Sequence, residues 1–530
     1  MVWLRTSLLL IFFSLGIASP ALADVETDTI GTGSVCPTAP ECFADTVSAH
    51  PRPWLAATQI ITMNVGIMSY DHIFMTRHNW AHVTMNTIKE NLKPKTWQWD
   101  ADYLYTNTIE HPYHGAAYYT AGRANGLGIA ASSACALGGS MMWELICESE
   151  PPSFSDMVTT PIGGITLGEP LHRVSSIILD DRKRGAERVG REILAGLVNP
   201  MRAFERLVTG KAWKVNRPVP ARSGQSTMFE SSLSAGYRWL DTRGMPNVRS
   251  AYVRWSATYG DIMGAEGHGL FDYFDLDATM AIGGHQSPLN NASVSNVIYS
   301  WSLSEKEGRQ SVAGFYNHLY HLYAEPEYEQ SIISPNEYDD PKKRQCTCYA
   351  EIGSIGPGFA WRLSNSCNSS GAGFTPHFSP LTSHPSTLMW EQQIFVNGIL
   401  LGATPTVYTD DAHYTLGYSF GSGYGAKMRN RLQWTDRLRV RLDADFSQLF
   451  TWRGYDCRNS NDTYRRSTKA MGEAGNVLTV IGSSTVELRP LRHLGIEWRG
   501  RYVWQHFNYS NHPHASLKSW EVQAGLQYVF

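Results

Sequence analysis

The sequence predicts an α+β membrane protein in which an N-terminal helical region precedes an antiparallel transmembrane β-barrel of about 12 strands. Three observations predict this class: a strand alternation that ends the chain, an unusual composition and an export signal. From Trp520 to Phe530, hydrophobic side chains fill every even position, while Glu521, Gln523 and Gln527 fill odd ones. A period of two places successive side chains on opposite faces of a sheet, so this strand separates an apolar environment from a polar one.

The composition points the same way. Charged residues make up 18% of the 530 residues and aromatic residues 12%, with a net charge of −3. Soluble proteins carry about 25% charged residues, and helical membrane proteins show runs of roughly 20 apolar residues. A barrel with aromatic girdles and a polar interior fits better, and the near-neutral charge argues against a nucleic-acid partner.

The alternation recurs through the second half of the chain. A soluble β-sandwich would also alternate, but its strands average roughly five or six residues, whereas these segments are long enough to cross a bilayer at a tilt. The predicted strands are 227–240, 249–260, 269–282, 293–303, 310–323, 349–363, 386–402, 412–434, 437–453, 475–488, 492–507 and 518–530.

Short and long connections alternate between these strands. In outer-membrane barrels, short periplasmic turns alternate with long outer loops in the same way. The connections at 434–437 and 489–492 are short, and those at 324–348 and 454–474 are long and polar. The segment 364–385 is long where a short turn is due, so the count carries an uncertainty of one hairpin.

The N-terminus predicts export. Arg5 precedes an apolar run and then Ala21-Leu22-Ala23, so residues 1–23 form a signal peptide and residues 24–53 an N-terminal linker. Export permits disulfides among the eight cysteines, and Cys36 and Cys42 are close enough to close a small loop. The expected location is the outer membrane of a Gram-negative bacterium, and the spacing of Cys and His residues suggests no metal or other cofactor.

Residues 54–226 are predicted to form a helical domain, either periplasmic or plugging the lumen of the barrel at 227–530. Residues 124–143 are uncharged but rich in Ala, Gly and Ser, which favours packing against other helices or the inside of the barrel over insertion in lipid. Residues 182–214 predict one basic amphipathic helix, which either lies on anionic lipid or packs under the barrel.

The densest group of polar residues lies in this helical domain. Carboxylates and imidazoles that meet in a low-dielectric space can form an acid/base pair or a metal site, while structural ion pairs and helix caps are the simpler alternative. Ser140 lacks the Gly-x-Ser-x-Gly context of a nucleophile elbow. The candidate catalytic residues are His111, His114, Glu148, Asp156, Glu169 and His172.

The same stretch resembles a family of bacterial proteins known only as domain-of-unknown-function family 3943. This resemblance covers about 100–210 and implies an exported envelope protein with helices ahead of a barrel, without an activity. It rests on the ordered segments His111-Pro112-Tyr113-His114-Gly115, Gly139-Ser140, Trp143-Glu144, Pro152-Ser153, Asp156, Thr160-Pro161-Ile162-Gly163-Gly164, Gly168-Glu169, Arg173-Val174-Ser175 and residues 187–192.

Three functions remain open from the sequence. The first is a barrel with a helical plug or periplasmic cap that handles lipid or small molecules at the cell envelope. The second is an outer-membrane enzyme that acts on lipid or lipopolysaccharide through the His/Glu/Asp group, and the third is a structural or assembly scaffold. Expected partners are outer-membrane lipids and the barrel assembly machinery. The C-terminal strand ending in Phe530 resembles the strands by which outer-membrane barrels present themselves for assembly. The sequence does not predict the oligomeric state.

Overall fold

The computed structural model describes most of the helical domain and all barrel strands. The predicted signal peptide and the Cys36 to Cys42 loop lie outside the described residues. The described ranges are 50–74, 82–99, 104–215, 228–243, 247–264, 268–283, 289–306, 308–324, 347–364, 388–405, 418–435, 437–452, 474–510 and 513–530.

Twelve antiparallel strands close into a barrel, as the alternation predicted. The last strand pairs with the first, from Ser232 opposite Val529 to Thr242 opposite Ser519, so the sheet has no free edge. The strands are β1 (Phe229–Thr242), β2 (Val248–Tyr259), β3 (Phe274–Ile282), β4 (Leu289–Lys306), β5 (Arg309–Ala324), β6 (Thr347–Ser364), β7 (Met389–Pro405), β8 (Tyr418–Thr435), β9 (Leu438–Thr451), β10 (Gly475–Leu488), β11 (Leu494–Tyr509) and β12 (Ala515–Val529).

Charged side chains fill one part of the lumen. Arg254 on β2 lies 2.6 Å from Glu497 on β11, and Arg431 on β8 lies 2.6 Å from Asp275 on β3. Neither pair joins neighbouring strands, so both bridge the lumen. The side chains of Arg254 and Glu497 are only 3% and 0% exposed. Because a buried charge is costly unless it is paired, this network holds opposite walls of the barrel together.

Apolar side chains fill the lumen toward the end where β5 ends and β6 begins. They form one buried cluster with contributions from the six strands β5, β6, β7, β9, β10 and β11. Its members are Tyr320, Leu322, Tyr349, Ile399, Leu449, Ile481 and Val503.

Seven helices of at least seven residues precede the barrel within the described residues, and together they form what we call the helical layer. They are α1 (Pro53–Phe74), α2 (Met85–Asn91), α3 (His111–Ala124), α4 (Ile129–Met142), α5 (Gly164–Ile178), α6 (Gly185–Val198) and α7 (Pro200–Val208). Shorter turns lie at Pro94–Thr96, Thr106–Glu110, Trp143–Cys147, Asp156–Val158 and Thr159–Gly163.

The segment 182–214 forms two helices, so the prediction of a single helix is wrong. The chain breaks between α6 and α7 at Asn199, whose side chain accepts a hydrogen bond from the backbone N–H of Arg202. Pro200 follows, and because proline has no backbone N–H it begins a helix well and disfavours the continuation of a preceding one.

The helical layer packs on the outer face of the barrel wall. On β3, Asp277 faces the lumen, where it binds Arg254 and Arg499, so the alternate residue Leu276 faces outward. Leu276 lies opposite Val294 of β4, which lies opposite Leu319 of β5. These outward side chains form one buried cluster with helix residues, which comprises Tyr105, Ile109, Ala116, Leu171, Val174, Ile178, Leu194, Ala195, Val198, Trp255, Ala257, Tyr259, Phe274, Leu276, Met280, Leu289, Val294 and Leu319.

Polar contacts to outward-facing side chains agree with this placement. Asn296 and Asn317, opposite each other on β4 and β5, donate hydrogen bonds to the backbone oxygen and hydroxyl of Thr166, at 3.0 and 2.7 Å. The hydroxyl of Thr108 lies 2.8 Å from Nδ1 of outward-facing His321. The described helices therefore lie beside the barrel. These contacts do not place them inside the lumen, as the prediction of a plug required.

Away from these contacts, the described outer wall exposes many apolar side chains. Exposed outward side chains include Tyr237, Val396, Phe446, Val522 and Leu526, with Leu526 69% exposed. A closed barrel with an apolar outer surface and a polar interior is the architecture of the bacterial outer membrane. The protein is an outer-membrane barrel protein.

Candidate functional site

A group of polar side chains lies buried inside the helical layer, and we call it the His111 cluster. It draws on α3, on the turn after α4 and on the segment before α5. Its members are His111, His114, Trp143, Glu144, Glu148, Ser153, Asp156 and Thr160.

Three π-helical turns carry or border this cluster, counted over the described residues. Thr106–Glu110 runs directly into His111, Trp143–Cys147 contains Glu144, and Thr159–Gly163 contains Thr160. A π-turn adds one residue to a helical turn and so rotates the side chains that follow. Such turns are rare in proteins overall, and those that occur are often found at functional sites.

His111 stands between a carboxylate and a hydroxyl. Its Nε2 lies 3.4 Å from Oδ1 of Asp156, and its Nδ1 lies 3.3 Å from Oγ1 of Thr160. The side chains of His111 and Asp156 are 11% and 4% exposed, so the contact is largely shielded from water. The two residues are 45 positions apart in sequence, and the packing of α3 against the segment before α5 brings them together.

His114 lies one turn after His111 on α3 and has its own partners. Its Nε2 lies 3.0 Å from the hydroxyl of Tyr118, which donates a hydrogen bond to Asn64 on α1. Because the Tyr118 hydroxyl donates to Asn64, it accepts from His114, which places a proton on Nε2. The edge of the His114 ring also meets Trp143, with centroids 5.2 Å apart.

The two glutamates after α4 point to different partners. Glu148 accepts a hydrogen bond from the indole N–H of Trp143 at 3.0 Å. Glu144 is buried and accepts from the backbone N–H of Ser153 at 2.9 Å. The hydroxyl of Ser153 in turn accepts from the backbone N–H of Asp156 at 3.2 Å.

Glu169 occupies a different environment. Its fully buried carboxylate accepts hydrogen bonds from Nε of Arg123 at 2.8 Å, Nε of Arg173 at 3.0 Å and the hydroxyl of Tyr119 at 2.8 Å. Arg173 also reaches Asp272, in the connection between β2 and β3. Two guanidinium groups on one carboxylate form a clamp between helices, which favours a structural role for this predicted candidate.

His172 follows Glu169 by one turn and is buried. Its backbone oxygen accepts hydrogen bonds from the hydroxyls of Ser175 and Ser176 and from Arg202 of α7. The bond from Arg202 holds α5 against α7. Of the six predicted candidates, the structure brings His111, His114, Glu148 and Asp156 into one cluster, and it places Glu169 in the clamp.

The sequence did not single out several residues in and around the His111 cluster. Asn64 accepts a hydrogen bond from the hydroxyl of Tyr118, and Asn91 donates to the backbone oxygens of Glu144 and Glu148 at 3.3 and 3.0 Å. Thr160 is the first residue of the segment Thr160-Pro161-Ile162-Gly163-Gly164, and the family resemblance of that segment was the available signal. The described part of the chain contains no group of three or more His, Cys, Asp or Glu side chains that could hold a metal ion. Cys135 and Cys147, in the same region, are free thiols.

The arrangement can transfer protons. An imidazole that contacts a carboxylate through one nitrogen and a hydroxyl through the other has the components of general acid/base or nucleophilic catalysis. The carboxylate orients the ring, and the hydroxyl can give up or receive a proton. The same contacts also fix three helical segments to one another.

Residues 96–201 match the model of a protein family described as a domain of unknown function (DUF3943). This match confirms the resemblance that the sequence showed over about 100–210, and it contains every member of the His111 cluster. No curated protein matches the chain.

Among solved structures, the chain is similar to bacterial outer-membrane barrels. The NanC porin matches at 7% identity with a TM-score of 0.24, over 56% of this chain and 98% of that chain. The toluene transporter TodX of Pseudomonas putida matches at 8% identity with a TM-score of 0.19, over 58% and 90%. The outer membrane channel DcaP of Acinetobacter baumannii matches at 8% identity with a TM-score of 0.20, over 59% and 100%. Similarity this low carries no argument about the function of this chain.

Proposed function

We propose that this protein handles lipid at the outer membrane through the His111 cluster, and that the barrel serves as its closed anchor. One observation carries the proposal. The helices that hold the cluster pack on the outward, lipid-facing side of β2 to β5, whereas the lumen is filled by the side chains of the strands themselves.

The filled lumen argues against a channel for small molecules. A conducting barrel keeps a continuous aqueous path between its walls. Here Arg254 and Glu497 meet across the lumen, and an apolar cluster lies toward the other end. Passage would require both groups of contacts to separate.

Conductance across a planar bilayer tests this part of the proposal. The intact protein is expected to give little or no steady conductance, because its own side chains obstruct the lumen. Arg254→Ala removes one bridge and is expected to raise conductance above that of the intact protein. A large conductance of the unaltered protein would show that the lumen opens and would contradict the anchor role.

We further propose acid/base chemistry on a lipid as the form that lipid handling takes, with His111 as the proton carrier and Asp156 as the group that orients it. The 3.4 Å contact between them and the hydroxyl of Thr160 on the other ring nitrogen favour this candidate. His111→Ala and Asp156→Asn are expected to reproduce the envelope lipid profile of a deletion strain, as measured by mass spectrometry.

His506→Ala provides the matched control for that experiment. His506 lies on β11, where it contacts Ser516 of β12, and its loss is expected to leave the lipid profile unchanged. If the deletion strain changes its lipids and His111→Ala does not, the catalytic assignment is wrong. If neither strain changes its lipids, lipid handling itself is rejected.

We also propose that the barrel assembly machinery recognises the C-terminal strand. The alternation of β12 and the terminal aromatic residue support this, and the backbone N–H of Phe530 donates to the oxygen of Ser231 on the first strand. Deletion of Phe530 is expected to lower the amount of protein in the outer membrane, measured by fractionation. An unchanged amount would argue against recognition of this terminus.

A further inference from the structure

We infer that α4, α6 and α7 of the helical layer lie within the bilayer beside the barrel, so that their outer faces contact lipid acyl chains directly. This inference concerns where the helices lie and stands independently of the proposed function. It rests on three features: the exposed face of α4, the inverted pair α6 and α7, and the diagonal course of the layer over the wall.

The exposed face of α4 contains no polar or charged side chain. Its residues are Ala130, Ala131, Ala134, Leu137, Gly138 and Met141. The helix and the turn after it, Ile129–Cys147, are long and apolar enough to cross a membrane, since 19 residues rising about 1.5 Å each span about 28 Å. An exposed face of this kind is stable against hydrocarbon and costly against water.

The pair α6 and α7 is arranged inside out compared with a helix pair in water. Val189 and Ile193 are both 57% exposed and Val208 is 58% exposed. Meanwhile Arg188 and Arg206 are buried, and both bind Asp181 and Glu192. In water the charged residues of an amphipathic pair face outward; in lipid, charged residues turn inward and pair with one another.

The layer crosses the wall from one end of the barrel to the other. Near the end of the barrel where β1 begins, Arg173 contacts Asp272, which lies between β2 and β3. Near the opposite end, Asn107 donates a hydrogen bond to the hydroxyl of Tyr418, the first residue of β8, at 2.8 Å. Any apolar belt of the membrane that surrounds the barrel must therefore meet these helices.

Continuity of the surface selects lipid as the occupant. Where the layer ends, the wall carries exposed apolar side chains such as Tyr299, Phe315 and Phe359 on β4, β5 and β6. The exposed faces of α4, α6 and α7 extend this apolar surface. Because a closed membrane barrel is surrounded by lipid on its outside, lipid is the neighbour of the whole surface.

Photo-crosslinking of the full chain tests this inference. A benzophenone side chain is placed singly at Leu137 on α4 or Val189 on α6, both exposed, and the protein is inserted in vesicles of phosphatidylethanolamine and phosphatidylglycerol. Leu526 on the bare wall is the positive control, and Arg182, 60% exposed in the connection before α6, is the negative control. After illumination, mass spectrometry measures covalent lipid adducts.

Lipid adducts at Leu137 and Val189 are expected at yields comparable with Leu526 and several-fold above Arg182. Yields at the level of Arg182 would place the helices in water and overturn the inference. Crosslinks to a second copy of the chain in place of lipid would overturn it as well, because they would show that protein covers this surface. Neither result depends on whether His111 is catalytic.

Discussion

Among the described residues, the outer wall of the barrel has a covered part, which comprises β2 to β5 and the ends of β6 to β8 near Leu104, and a bare part that includes β11 and β12. Both carry apolar outward side chains, such as Leu276 in the covered part and Leu526 in the bare part. The covered part also carries outward Asn296, Asn317 and His321, each of which contacts a helix residue. The comparison teaches that outward polar side chains with a hydrogen-bond partner on a helical segment mark where protein replaces lipid as the neighbour of a barrel strand.

The physical basis of this difference lies in the membrane itself. Lipid tails are as apolar as leucine, so apolar contact alone does not draw a helix to the wall. Close packing and hydrogen bonds must supply the preference. Single substitutions in the helices and on the wall separate these contributions.

Removal of the Glu169 carboxylate should disrupt the helical layer most. Glu169→Ala leaves Arg123 and Arg173 buried without their shared partner, which typically costs about 3–5 kcal/mol. Hydrogen exchange in α3 and α5 is expected to accelerate while the barrel strands keep their protection. Glu90→Ala, which removes an exposed ion pair with Lys93, is the control and should change neither. Equal acceleration in both variants would contradict the clamp.

Close packing of α3 against the segment before α5 should contribute next. A Cβ at Gly115 would lie 1.8 Å from the backbone oxygen of Thr160, so Gly115→Ala must separate the two segments, at a cost of about 1–3 kcal/mol for overpacking. Thermal unfolding of the helical signal in circular dichroism is expected at a lower temperature.

Gly138→Ala is the matched control, because a Cβ there meets no atom within 4 Å. In a helix, alanine is favoured over glycine by about 0.5–1 kcal/mol, so this variant should be unchanged or slightly more stable. A similar loss of stability in both variants would show that the effect of Gly115→Ala does not come from the contact with Thr160.

The hydrogen bonds between wall and helix should have a smaller effect. Asn317→Leu gives the covered wall a side chain typical of the bare wall and removes the bond to Thr166. Hydrogen bonds of this kind in membranes are worth about 1 kcal/mol. Faster hydrogen exchange confined to α5 is the expected result, and unchanged exchange would mean that packing alone holds the layer.

A change on the bare wall should have the smallest effect. Val522→Ala removes two methyl groups from a side chain that is 49% exposed on β12, and surface changes of this kind usually stay within about 0.5 kcal/mol. Stability in lipid is therefore expected to be unaltered within error. A loss as large as that of Asn317→Leu would indicate an unrecognised protein contact on the bare wall.

The candidate site could be predicted only in part. Clustering of polar residues in an apolar sequence identified His111, His114, Glu148 and Asp156, which the structure places in one network. The same reasoning selected Glu169, which lies between two arginines, because a sequence does not show which charge lies beside which. The π-turns that orient His111 and Thr160 depend on packing and leave no simple periodicity to detect.

The sequence by itself determined the barrel: all twelve predicted segments form strands, because a period of two over ten or more residues is a local property of the chain. Only the tertiary structure decided where the helices lie. An outward apolar side chain such as Leu276 is suited equally to lipid and to Leu171 or Val174 of α5, so alternation cannot distinguish the two neighbours. The choice depends on contacts such as those of Asn296 and Asn317 with Thr166, which join residues more than a hundred positions apart and form only when the sheet has closed.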